Sequence, residues 1–267
     1  MKKTLIALMA LASVAMADVV VEYDFTGTSP LAPTVGTGST LNSVANWSVA
    51  DGNLTYTGNQ DKYSGVYCGN GNVSIFTDTT LTNWEFSITA SVTLPSGDDK
   101  AGLVQFFGEN FSDDFASCAL VFGKDGSYGL QFRSGGTTNT MGTVISFTAD
   151  KDSLAALGVS SVGGTMQEYG VSYINGNIAL TIGNIDITSA LTSTGTTATL
   201  SEFYNSKGFD GLTIKKLGYA NEVDVFSVCK DTVIANVTVS TPAIPEPATA
   251  TLSLLALAGL CARRRRA

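Results

Sequence analysis

Carboxylates are the residues best placed for acid–base chemistry in this sequence, because the chain contains no histidine. That absence excludes Ser-His-Asp triads and most zinc sites. Glu222 and Asp224 are two residues apart on an apparent strand, so both side chains project from one face. This spacing permits the separation of about 5–9 Å at which two carboxylates hydrolyse a glycosidic bond. Glu22 and Asp24 repeat it. Such pairs are also typical of the solvent-facing side of a strand, so we expect neither pair to be catalytic.

Acidic residues in two predicted loops could instead bind calcium. Calcium takes six to eight oxygen ligands, and neighbouring backbone carbonyls can complete a set that carboxylates begin. The candidates are Asp98 with Asp99, and Glu109 with Asp113 and Asp114. No complete calcium-loop motif is present, and solvated turn residues explain these acids equally well. Calcium therefore remains an open alternative as a cofactor.

Sugar recognition needs exposed aromatic rings beside polar groups. Phe111 and Phe115 are the main candidates, because acidic and aromatic residues are mixed in one predicted loop. Other aromatic residues in or near predicted loops and strand ends are Trp47, Tyr63, Tyr67, Phe107 and Tyr204. The alternative is that these rings fill a core, as most aromatic side chains do.

The four cysteines suggest at most one disulfide within the body of the chain. Cys118 lies in an apolar run and is expected to be a buried free thiol. Cys261 lies near the C terminus, which leaves Cys68 and Cys229 as the expected bridge in an oxidising compartment.

The charge of the body is strongly acidic. Residues 18–240 contain 9 basic and 22 acidic side chains, a net charge near −13. Such a surface repels phosphate backbones, so nucleic acid is not an expected partner. The same charge favours neutral glycans or cations over acidic polymers, unless calcium bridges the two.

The N terminus has the three parts of a secretory signal peptide. Lys2 and Lys3 precede an apolar stretch, and Ala15 and Ala17 frame a small-x-small cleavage site. We expect signal peptidase to remove residues 1–17, so that the mature chain begins at Asp18.

The C terminus carries Pro245-Glu246-Pro247, an apolar run at 248–262, and a basic cluster of Arg263, Arg264, Arg265 and Arg266. The apolar run spans about 22 Å as a helix, which is short for a bilayer core of ~30 Å unless the arginines snorkel. The three parts resemble the PEP-CTERM sorting signal of Gram-negative envelope proteins. The resemblance implies recognition of the Pro-Glu-Pro motif by exosortase, membrane attachment through the helix before processing, and a final location at the cell envelope or outside the cell.

Between these ends, apolar and polar residues alternate with the period of β-strands. The segment 84–94 is the longest example, and Asn175-Gly176 lies between two further alternating runs, as in a tight hairpin. We expect roughly a dozen strands and at most one short helix, near 151–157, with Asp150 as its cap. The tract 188–199 is expected to be a loop or an irregular edge. This pattern predicts an all-β, two-sheet antiparallel sandwich or jelly roll over 18–238, followed by a linker at 239–247 and the sorting tail at 248–267.

The order of these elements resembles the concanavalin A-like lectin/glucanase superfamily, and within it the laminin G-like modules. The similar segments are 50–56, 84–94 with 102–107, 169–182 and 209–214. Laminarinase-type enzymes of this superfamily use a strand motif with two glutamates around an aspartate. The second glutamate is missing after Glu222 and Asp224.

We therefore expect an exported, noncatalytic protein that binds extracellular glycans or exopolysaccharide. A structural surface protein without a glycan ligand remains an alternative, and a glycoside hydrolase is a further one.

Overall fold

Strand alternation produces two antiparallel β-sheets packed face to face. The computed structural model describes residues 17–43, 47–57, 66–67, 75–96, 100–106, 117–133, 143–207, 211–217 and 228–242. In chain order the strands are β1 (Asp18–Tyr23), β2 (Val35–Gly36), β3 (Asn42–Ser43), β4 (Trp47–Ala50), β5 (Asn53–Tyr56), β6 (Val66–Tyr67), β7 (Phe76–Asp78), β8 (Trp84–Ser91), β9 (Ala101–Phe106), β10 (Ser117–Phe122), β11 (Tyr128–Arg133), β12 (Val144–Ala149), β13 (Gln167–Ile174), β14 (Asn177–Ile182), β15 (Ile185–Asp186), β16 (Thr192–Thr194), β17 (Leu212–Leu217) and β18 (Val233–Thr241).

The first sheet, sheet A, has the order β15-β14-β13-β8-β18-β1-β2, with β5 joining β18 and β4 joining β5. Its central strands come from distant parts of the chain. In β8 every second residue is buried, from Trp84 to Ala90, and the residues between them are partly exposed. The first and last strands of the compact unit Val19–Thr241, β1 and β18, are neighbours in this sheet.

The second sheet, sheet B, has the order β16-β12-β11-β10-β9-β17-β6-β3, with β7 paired to β17. Strands β9 to β12 form a meander of successive antiparallel hairpins. In β9 and β11 all residues are buried, whichever face they point to.

Aromatic residues of the two sheets meet in the core. Phe86 of sheet A and Phe106 of sheet B contact edge to face, with ring centroids 5.2 Å apart. Phe122 of sheet B and Tyr169 of sheet A do the same at 4.9 Å. These contacts establish the predicted two-sheet antiparallel sandwich.

The hairpin between β13 and β14 turns at the predicted pair. Asn175 and Gly176 both have positive φ, 51° and 80°. That conformation is a type I′ turn, which matches the twist of the strands and favours Asn-Gly. Asp51 and Gly52 turn in the same way between β4 and β5, with φ of 52° and 71°.

The prediction of at most one helix was wrong. The expected helix is present as α1 (Lys151–Ala156), capped by Asp150, whose carboxylate accepts from the Ser153 amide. A second helix, α2 (Leu200–Ser206), begins with a capping box in which Thr199 and Glu202 bond to each other's backbone amides. A short 3₁₀ turn, Thr188–Ala190, and the edge strand β16 occupy the tract expected to be a loop or irregular edge.

Several predictions about the ends and the cysteines lie outside the described residues. These include the cleavage-site residue Ala15, the motif Pro245-Glu246-Pro247, the apolar tail and its arginines. No helix in the described part of the chain has the length and apolar character needed to cross a membrane. Cys118 is buried without a disulfide, as expected. Cys229 is buried as well, but Cys68 is not described, so the proposed bridge stays a prediction.

Candidate functional site

The outward face of sheet A is lined with hydroxyl groups and carboxylates. Alternation turns Glu85 and Ser87 of β8 away from the core, between buried Trp84, Phe86 and Ile88. On the neighbouring strands the residues opposite these two positions are also polar or lack a side chain. The register pairs Glu85 with Ser172 of β13 and Ser240 of β18, and Ser87 with Gly170 and Thr238.

These residues line an open groove of about 250 Å³ across β14, β13, β8 and β18. Its polar side chains are Glu85, Ser87, Glu168, Ser172, Thr181 and Ser240. All of them lie within the described residues, and each is at least partly exposed. A ligand can therefore reach them without movement of the protein.

Gly170 forms the floor of the groove. A Cβ built on it would lie 2.3 Å from the Thr181 hydroxyl oxygen. Glycine at this position therefore lets the Thr181 side chain lie over β13 and leaves a depression in the middle of the sheet.

The polar side chains of the groove form no hydrogen bond or ion pair with one another or with any other described residue. A nearby part of the same face differs in this respect. There, Asn236 donates to a Glu22 carboxylate oxygen at 2.6 Å, and the Thr238 hydroxyl donates to the side-chain amide oxygen of Asn236 at 2.7 Å. The side chains around Glu22 form hydrogen bonds with one another, whereas the hydrogen-bond donors and acceptors of the groove face solvent.

The two carboxylates of the groove stand on backbones that are well separated along the strands. Glu168 lies four residues along β13 from Ser172, which is the register partner of Glu85. At about 3.4 Å per residue, this places the two backbones roughly 14 Å apart. Glycosidases hold their carboxylates about 5–9.5 Å apart. Only side chains extended toward each other would bring the Glu85 and Glu168 carboxylates into that range.

A second row of mostly polar residues crosses strands β9 to β12 of sheet B. Gln105, Ala119, Gln131 and Ser146 are register partners across β9 to β12. Gln131 donates to the Ser146 hydroxyl at 2.8 Å. The side-chain oxygens of Gln105 and Gln131 are buried and have no hydrogen-bond partner among the described residues. Since Gln105 is only 1% exposed and Gln131 4%, this row is not an open site.

The second predicted carboxylate pair has structural roles. Glu22 is held by Asn236, as described above. Asp24 accepts from the Thr26 amide at 3.0 Å and the Thr26 hydroxyl at 2.8 Å, and these bonds lower the pKa of the Asp24 carboxyl. A general acid for glycoside hydrolysis needs a raised pKa, so the Asp24 environment is opposite to that requirement.

Most of the other predicted site residues lie outside the described residues. They are Glu222, Asp224, Asp98, Asp99, Glu109, Asp113, Asp114, Phe111 and Phe115, and the aromatic residues Tyr63 and Phe107. Tyr67 lies in β6, but its side chain is not described. Within the described part, no group of three or more Cys, Asp or Glu side chains could hold a metal ion.

Two predicted sugar-stacking aromatics belong to the interior. Trp47 is 8% exposed and packs on Tyr56, with ring centroids 5.2 Å apart. Tyr204 is 2% exposed and packs on Tyr173 at 5.1 Å. The alternative reading, that aromatic residues fill the core, holds for both.

Sequence reasoning missed the groove residues. Glu85, Ser87 and Ser172 were visible as the polar half of an alternating pattern. That pattern shows that they face solvent but not that β8, β13, β14 and β18 are neighbours. Gly170 inside an otherwise regular strand was a local signal of a close approach to that strand.

Comparisons with known proteins support the fold. No protein-family model matches the chain, and no curated protein does. A sialidase from Trypanosoma rangeli, solved with sialic acid, superposes with a TM-score of 0.51 at 10% identity, over 86% of this chain and 32% of the sialidase. This chain thus spans about a third of the length of that protein.

Two other solved structures match with lower scores. Domain 4 of the extracellular arabinanase AbnA from Geobacillus stearothermophilus, solved with arabinotriose, has a TM-score of 0.48 at 14% identity, over 85% of this chain and 94% of the domain. The botulinum neurotoxin serotype D binding domain has a TM-score of 0.49 at 9% identity, over 85% of this chain and 48% of that one. The body is a two-sheet antiparallel β-sandwich, as the sequence predicted. At 10% identity, the similarity to the sialidase concerns the fold alone.

Proposed function

We propose that this chain is a noncatalytic carbohydrate-binding module and that its ligand lies in the groove on sheet A. The observation that carries the proposal is the open groove itself, in which six polar side chains lack partners among the described residues. Hydroxyl and carboxylate groups are the partners that sugar hydroxyls use, and a depression floored by Gly170 lets a ring approach the backbone.

The noncatalytic assignment is supported by the roughly 14 Å between the backbones of Glu85 and Glu168, since the two carboxylates approach the glycosidase range only when both side chains extend toward each other. It is also supported by the missing glutamate after Glu222 and Asp224. Hydrolysis of a glycan by the purified protein would contradict this part of the proposal.

The location we propose is the cell envelope or the space outside it. The support is the signal-like N terminus and the resemblance of Pro245-Glu246-Pro247, the apolar run and the terminal arginines to a PEP-CTERM signal. Signal peptidase and exosortase are then partners during export. Mass spectrometry of protein recovered from the producing cell tests this, because processing at both ends predicts a chain that begins at Asp18 and lacks the arginine cluster.

A glycan array with the purified protein tests the binding function, run once with calcium and once with a chelator. We expect saturable binding of at least one glycan. Ser172→Tyr should remove that binding, because the new ring fills the groove beside Glu85.

Ser48→Tyr is the matched control, since Ser48 is an exposed serine on β4 of the same sheet and does not line the groove. Equal loss of binding in both variants would refute the assignment of the groove. An array without any binding under either condition would refute the function and favour the structural alternative.

A further inference from the structure

The strands of the two sheets carry charge of opposite sign. The strands of sheet A contain five carboxylates and no lysine or arginine, whereas those of sheet B contain one carboxylate and three basic residues. The charged residues are Asp18, Glu22, Glu85, Glu168 and Asp186 in sheet A, and Asp78, Arg133, Lys215 and Lys216 in sheet B. The strands of sheet A therefore carry a net charge of −5, because every lysine and arginine of the described strands lies in sheet B.

Inside the groove no basic side chain neutralises the carboxylates. Glu85 and Glu168 lie at opposite corners, on either side of the row formed by Thr181, Gly170 and Ser87. Neither carboxylate has a hydrogen-bond or ion-pair partner among the described residues, and the groove lining includes no basic side chain. The lining between them consists mostly of hydroxyl groups, with no aromatic ring exposed for stacking.

We propose that the groove selects glycans that carry free primary amines, that is, de-N-acetylated amino sugars. This inference rests on the carbohydrate-binding function proposed above and specifies its ligand. An ammonium group donates charge-assisted hydrogen bonds to a carboxylate, and these are roughly twice as strong as neutral ones. The sugar hydroxyls meet Ser87, Ser172, Thr181 and Ser240.

Other ligand classes fit the groove less well. A uronate or sialic acid would bring a negative charge toward two carboxylates that lack a cation, which is repulsive. A neutral sugar can donate its hydroxyls to the carboxylates, but it supplies no counter-charge to them. A basic peptide would find no apolar pocket for anchor side chains, since hydroxyls dominate the lining.

Two oligosaccharides that differ only in the amine test the inference. The probes are a β-1,4-linked glucosamine tetramer and its fully N-acetylated form, titrated by calorimetry into the purified protein with chelator present. We expect the amine form to bind more tightly and to weaken as salt is raised. Glu85→Gln and Glu168→Gln should each weaken it by about fivefold, the upper range for an exposed charge pair.

Asp152→Asn is the charge-matched control. Asp152 lies exposed on α1, outside the groove, so its removal changes the net charge equally. The amine form should bind this variant as it binds the unaltered protein.

The outcomes separate this inference from the function on which it rests. Equal or tighter binding of the N-acetylated tetramer, or of an acidic oligosaccharide, would overturn the amine preference and leave the glycan-binding function standing. Equal loss in the Asp152→Asn control, or equally tight binding of tetralysine, would show unspecific attraction to the acidic surface and would also overturn it. Failure of every glycan, on the array and in solution, would refute the function itself.

Discussion

Alkaline pH should unfold this domain through the tyrosines between its sheets. Tyr169 of sheet A and Tyr128 of sheet B pack with ring centroids 5.3 Å apart. Burial raises the pKa of Tyr169 to about 12, although the bond that its hydroxyl accepts from the Gly163 amide opposes the rise. Burial also raises the pKa of Tyr128 well above the ordinary value, and Tyr169 adds to this effect.

The direction of the pH effect on stability follows from the difference in tyrosine pKa between the folded and unfolded chains. Unfolded tyrosine ionises near pH 10, whereas folded Tyr169 resists ionisation until about pH 12. Its contribution to stability is therefore complete below pH 10 and is lost as the pH rises from 10 through 12. A rise of two pKa units corresponds to roughly 2–3 kcal/mol. That is a substantial part of a typical domain stability of about 5–15 kcal/mol.

Urea unfolding followed by circular dichroism, at several pH values from 8 to about 12, measures this loss. Tyr169→Phe should be less stable at pH 8, because Gly163 and Gln167 lose their hydrogen-bond partner. The same variant should lose less stability than the unaltered protein as the pH rises. Phe86→Leu is the control, since it weakens the core and keeps both tyrosines. If Tyr169→Phe showed the same pH slope as the unaltered protein, the reasoning would be refuted.

Two further changes test the local interactions. Thr199→Ala should cost about 1 kcal/mol in urea unfolding because it removes the capping box of α2; an unchanged midpoint would contradict this role. Gln131→Leu should destabilise the protein by about 1 kcal/mol, since the buried Ser146 hydroxyl loses its partner. Adding Ser146→Ala should recover most of that loss, and a double variant weaker than Gln131→Leu would contradict this, because it would show that the Ser146 hydroxyl is stabilising without Gln131.

Local patterns were sufficient to predict the strands and several turns. The alternation in β8 is readable in Trp84 and Phe86 because successive strand residues face opposite sides of a sheet. The turn at Asn175 and Gly176 can be predicted because asparagine and glycine adopt positive φ more readily than most residue types. Both the strand alternation and the turn depend only on residues that are neighbours in the chain, so both can be detected from the sequence alone.

The second helix shows where local signals become weak. Its capping box is visible in the sequence as Thr199 followed three positions later by Glu202, a spacing that matches a helix start. The helix itself is only seven residues long and follows a tract rich in threonine. Packing of Phe203 against Phe132 and Phe147 of sheet B accompanies the helix, and no local pattern reveals those contacts.

The sequence by itself determined the sandwich class, the acidic body and the solvent-facing side of alternating strands such as β8, since composition and period are properties of neighbouring residues. Only the tertiary structure decided that β8, β13, β14 and β18 are neighbours, and hence that Glu85, Glu168 and Gly170 share one groove. Which strands become neighbours depends on how the core-facing side chains of all the strands pack together. Residues about 150 positions apart, such as Glu85 and Ser240, meet only when that packing is complete.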